Sequence, residues 1–106
     1  LVLATTEQIA GYEIIETLGI VLGNTVHSKH LGKDIAAAFK TLAGGEIRSY
    51  TELLTEARNI AIQRMIAEAE KLGADAIVGI KFGSSSVMQS AAEVLAYGTA
   101  VKIKKI

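Results

Sequence analysis

The chain has 106 residues, and its 11 Lys and Arg against 11 Asp and Glu give a formal net charge of zero. One domain over 1–106 is the natural reading, since two would leave neither half enough core. The even charge balance and scattered basic residues exclude a nucleic-acid footprint, and no apolar run approaches the ~18 residues of a membrane span.

Zero Cys removes disulfides, thiolate metal sites and Cys nucleophiles together, and suits a cytoplasmic setting. The chain opens at Leu1 rather than Met, which fits a trimmed N-terminus. Half the residues are hydrophobic and only 5% are aromatic, with a mean hydropathy of +0.37. Ile, Leu, Val and Ala carry that content, which suits helices packed tightly on a sheet. A chain of this mass keeps about a third of its unfolded-state surface wet, which normally takes more polar residues than this. A subunit interface is where the surplus would be covered, so a homo-oligomer is expected.

Val2 to Thr5 reads as a short strand, followed by a polar turn ending at Gly11. Residues 13–26, EIIETLGIVLGNTV, read as a long strand. Gly19 and Gly23 interrupt it, marking a bulge or the close approach of another backbone. Ile14, Leu18, Ile20 and Leu22 fall on one face and Ile15 and Val21 on the other, so both faces need cover. Residues 29–43 contain a short helix with Ile35, Phe39 and Leu42 on one side, stopped by Gly44-Gly45. Ser49-Tyr50-Thr51-Glu52 is a capping-box pattern.

The helix over about 50–72 is the clearest element. Leu54, Ala57, Ala61, Met65, Ala69 and Leu72 form one stripe, widened by Leu53, Ile62 and Ile66. Arg64 and Glu68 sit one turn apart as a surface pair, Lys71 complements the helix dipole, and Gly73 ends the helix. Residues 75–82 form a strand with Ala76, Val78, Ile80 and Phe82 on one face, and the following GSSSVMQSA partly extends it. The last strand, 92–103, places Glu93, Leu95, Tyr97, Thr99, Val101 and Ile103 together. The order β-β-α-α-β-β predicts a two-layer α+β fold, with helices on one face of a mainly antiparallel sheet.

TLGIVLG (17–23), LAGG (42–45), EARNIAIQRMIAEAEKLGADAIVGIKF (56–82) and VMQSAAEVLAYGTAVKI (87–103) together resemble the YbjQ-like family, small bacterial and archaeal proteins labelled as heavy-metal-binding. The resemblance runs over about residues 5–103, with LGADAIVG and LAYGTAV its most specific pieces. It implies a dodecin-like α+β subunit in a homopentameric ring. It implies no established reaction and no residue-by-residue ligand set.

His27-Ser28-Lys29-His30 holds the only His pair. His27 and His30 share a face if the segment is helical, yet zinc wants a third or fourth ligand and no thiolate exists. Two solvated imidazoles at a strand-to-helix turn is the simpler reading. Gly44-Gly45 and Arg48 offer an anion cradle, though an ordinary helix connection explains them. Arg58 and Glu93 lie at packing edges and are expected to pair, with each other or with a neighbour. Ser84-Ser85-Ser86 and Tyr97-Gly98-Thr99 form no nucleophile elbow, and Met88 reads as a gap filler at a subunit contact.

No catalytic residue and no cofactor is implied. Two function classes remain: an oligomeric module binding a small ligand or metal between subunits, or an enzyme whose active site is shared across subunit interfaces. A purely structural ring is a third.

Overall fold

The computed structural model describes residues 1–28, 46–88 and 91–106. Among these residues five elements follow one another: β1 (Val2–Leu3), β2 (Tyr12–Ser28), α1 (Glu46–Lys71), β3 (Ala76–Met88) and β4 (Ala91–Lys105). The helix expected over 29–43 falls outside the described residues. The sheet order is β1-β3-β4-β2. β4 is the central strand, antiparallel to both long neighbours.

The sheet is mixed rather than antiparallel throughout, because β1 joins β3 in parallel, Val2 opposite Ala76 and Leu3 opposite Ile77. The cause lies in where the chain goes next. Ala4 donates its N–H to the Ile77 carbonyl at 2.9 Å, and Thr6 accepts the Gly79 N–H at 2.8 Å. Ile9 then packs with Ile14 and Ile103 on buried Ala76, Val78 and Val101. Residues 4–11 therefore cross one face of the sheet before β2 starts on the far edge. That crossing covers the lower part of the face the helix leaves open.

On the other face, Ala57, Ala61, Met65 and Ala69 of α1 are buried. They meet Val21, Ile77, Ile80, Ala96 and Ala100, with Leu18 and Val94 at the margin. Small side chains let two backbones come together. At Gly23 an added Cβ would fall on the Ala61 carbonyl oxygen and the Met65 nitrogen of the helix. Of the two roles considered for the strand glycines, Gly23 takes the close approach, and Gly19 lies at a register shift.

Three details differ from the sequence pattern. The helix starts at Glu46, so Ser49-Tyr50-Thr51-Glu52 lies inside it. Leu54 and Leu72 belong to the stripe by angle yet stay exposed, because a straight helix diverges from a twisted sheet at its ends. β3 does not keep Ala76, Val78, Ile80 and Phe82 on one face. Gly79, at φ +62°, sits in a register shift between Val78 and Lys81. This residue needs the left-handed region, and the bulge sends Ile80 to the helix side.

Polar groups fix the C-terminal end of the helix and its tilt. Ala74 donates to the Ala69 carbonyl at 3.1 Å and Gly73 to that of Glu70 at 3.0 Å, the paired bonds of a Schellman motif. Arg64 does not pair with Glu68. Its Nη1 donates to the Asn24 carbonyl at 2.6 Å, and Glu68 is held instead by Lys71 at 3.2 Å.

The helix–strand contact can be probed from both sides. Gly23→Ala and Ala61→Leu should each overpack it, and each is expected to lower stability by about 1–3 kcal/mol. Because they share one contact, the double variant should cost less or more than the sum. Urea unfolding checks it; a midpoint equal to the parent's in either variant would contradict the packing.

Candidate functional site

Residues 4–6 satisfy the outer edge of β3 as far as Ile80, whose N–H donates to the Ala4 carbonyl at 3.1 Å; beyond it that edge has no strand partner among the described residues. α1 passes over that edge, and the two enclose a cleft of about 420 Å³ lined by Leu54, Arg58, Phe82, Gly83, Ser84 and Val94. The walls are mainly apolar. Phe82 is 49% exposed, which is unusual for one of only two Phe in the chain. Arg58 supplies the positive group, and its Nη2 donates to Thr55 Oγ1 at 3.1 Å. That bond, one turn back along the helix, leaves four of the guanidinium N–H donors uncommitted to it.

Arg58 and Glu93 do not meet. The register places Glu93 opposite Val26, on the face away from α1, where Asn24 Nδ2 donates to its Oε2 at 2.7 Å. Next along β2, Thr25 Oγ1 donates to the Ala57 carbonyl at 3.1 Å. Gly23, Asn24 and Thr25 thus form a continuous seat: one admits the helix backbone, the next accepts from Arg64, the third donates to Ala57.

His27 is a strand residue of β2 opposite Ala92, while His30 and Gly44-Gly45 lie outside the described residues. Arg48 is within α1. Ser84–Met88 continue β3 as the extension foreseen for the polar stretch. Tyr97 and Thr99 are half-buried on β4. Among the described residues, no three His, Asp or Glu gather as a metal-holding group.

A second surface lies on the sheet's open face. Ile20 is 74% exposed, Val26 57% and Leu22 51%. By register they flank Thr99, Glu93 and Tyr97 of β4. Residues 4–11 do not reach this upper part.

Sequence reasoning missed the cleft because Leu54 reads as core and Phe82 as a buried strand residue. The available signal was Arg58 within the same turn as the stripe.

The family model described as "Putative heavy-metal-binding" matches residues 1–104. The chain belongs to the YbjQ-like family. A UPF0145 protein of Pseudothermotoga lettingae is 99% identical over the full length of both chains. A UPF0145 protein of Fervidobacterium nodosum is 74% identical over 100% of this chain and 98% of its own. The fold is similar to a crystal structure of a protein of unknown function from Pediococcus pentosaceus, assigned to the DUF74 family. The match has TM-score 0.65 and 22% identity and covers 98% of each chain.

Two segments that carried the resemblance have physical roles here. In LGADAIVG, Gly73 closes the helix, Gly79 makes the bulge, and Asp75 joins three strands. Asp75 donates its N–H to the Val101 carbonyl at 2.9 Å and accepts the Val2 N–H at 3.1 Å. Its Oδ2 accepts the Ile103 N–H at 3.1 Å. In LAYGTAV, Ala96 and Ala100 lie flat beneath α1, and Gly98 leaves room for Ile77 and Ile80. Asp75→Ala removes only the side-chain bond and should lower stability by about 1 kcal/mol, measured by urea unfolding. Asp75→Asn, which keeps an acceptor, should recover most of that loss.

Proposed function

We propose that the chain works as a homo-oligomeric module, a ring of five dodecin-like subunits in the cytoplasm, that takes up a small ligand or metal between subunits. The observation that carries this reading is surface without cover. Apolar Ile20, Leu22 and Val26 stand exposed on the open face, and among the described residues the outer edges of β2, and of β3 beyond Ile80, have no strand partner. A second copy of the chain fits because such edges extend a sheet by strand addition. The number five rests on the YbjQ-like resemblance.

Light scattering after size exclusion should give five times the chain mass of 11.2 kDa, so about 56 kDa. A particle near 11 kDa at micromolar concentration would overturn the ring. Leu22→Asp places a charge on the open face and should shift the particle toward the single-chain mass.

Metal is expected at the ring rather than within one chain. His27 and His30 supply at most two good ligands, and carboxylates alone suit harder ions at lower affinity. A symmetry axis can gather one His or Met from each subunit. Calorimetric titration with Zn²⁺ on tag-free protein should show either no tight binding or about one ion per ring. Sub-micromolar binding at one ion per chain, lost in the His27→Ala/His30→Ala double variant, would refute this.

A further inference from the structure

We propose that the cleft between α1 and the free edge of β3 binds a small organic monocarboxylate with a flat apolar body. The carboxylate sits on Arg58 and the body on Phe82 and Leu54. This site belongs to one chain, so it goes beyond the intersubunit reading and does not depend on the ring.

Three observations carry it. The cleft volume, about 420 Å³, falls within the range typical of small-molecule sites and far exceeds a single water. Its lining joins apolar side chains from two elements, Leu54 of the helix and Phe82 and Val94 of the sheet, to a single cationic fork. A large, half-exposed aromatic ring beside a guanidinium is the composition that binds an amphipathic anion, with the ring taking the apolar part. Finally, the charge of Arg58 is not neutralised by a carboxylate among the described residues. Its hydrogen bond goes to the neutral Thr55 hydroxyl, and the ion pair of α1 joins Lys71 to Glu68 instead.

The chemistry also selects against other anions. A phosphate dianion is matched by several converging donors, whereas this lining offers one guanidinium and one hydroxyl, that of Ser84. A carboxylate needs only the two parallel N–H groups that one Arg presents. The apolar walls would be wasted on an inorganic ion.

Benzoate is the probe, titrated into the intact protein by calorimetry, with benzyl alcohol and inorganic phosphate as comparisons. Saturable benzoate binding at one per chain, in the millimolar range or tighter, is expected, with both comparison compounds at least about tenfold weaker. Arg58→Gln should weaken benzoate at least about tenfold, Arg58→Lys should fall between because the fork is lost and the charge kept, and Phe82→Ala should also weaken it. Circular dichroism and particle mass are recorded for every variant, and both should match the parent's, since Arg58 and Phe82 are exposed. No saturable binding, phosphate binding as tight as benzoate, or Arg58→Gln with the parent's affinity would each overturn the proposal. A single-chain mass that still bound benzoate would refute the ring while upholding this site.

Discussion

The backbone of α1 rests directly on β2 at Gly23, and most of the molecule is arranged around that contact. Helix and sheet can approach so closely only where side chains are nearly absent on both partners. The helix supplies Ala57, Ala61 and Ala69, and β4 supplies Ala96 and Ala100, all buried. A contact made of methyl groups has little area per residue, so its orientation is fixed by polar bonds around it. Thr25 to the Ala57 carbonyl and Arg64 to the Asn24 carbonyl hold the helix at two points on either side of Gly23. The same residues that permit the approach are consecutive with those that lock it.

From this seat the helix direction follows, and with it the two open regions. A 26-residue helix is about 39 Å long, while the 17 residues of β2 span about 56 Å. One helix cannot cover strands of that length. Residues 4–11 cover part of the reverse face through Ile9, and the rest of that face keeps Ile20, Leu22 and Val26 in water. Where the sheet twists away from the first half of α1, Leu54 and Arg58 overhang the β3 edge and the cleft appears.

The parts of this architecture legible in the sequence are those governed by local spacing. The i,i+4 row of α1 and its Gly73 stop depend on neighbours within a few residues, and the pattern contains them; Gly19 and Gly23 show as interruptions of β2, but the approach of α1 decides which of them takes the close contact. Period-two alternation also placed Val101 and Ile103 together on β4 correctly. What depends on non-local geometry was illegible. The parallel seat of β1 is decided by where residues 4–11 cross, and the face change in β3 by a single bulge at Gly79. The exposure of Leu54 is decided by sheet twist, which leaves no mark on a helical wheel. Local spacing paired Arg64 with Glu68, whereas the close approach of β2 gives it the carbonyl of Asn24 instead.

The composition itself acquires a structural explanation. Of the twelve buried hydrophobic residues among those described, six are alanine, and among them only Met65, Ile77 and Val101 are large side chains removed completely from water. A chain half hydrophobic would ordinarily spend its bulky residues on the core. Here the close helix–sheet approach excludes them, because a Leu or Ile at Ala61 or Ala96 would force the two layers apart. Bulky residues that do not enter stand outside, as Ile15, Ile20, Leu22 and Val26 do on β2. The apolar surplus read from composition is thus the counterpart of an alanine-lined interior. A core tightened in this way leaves bulky apolar side chains at the surface, where binding energy for other copies or for ligands is available.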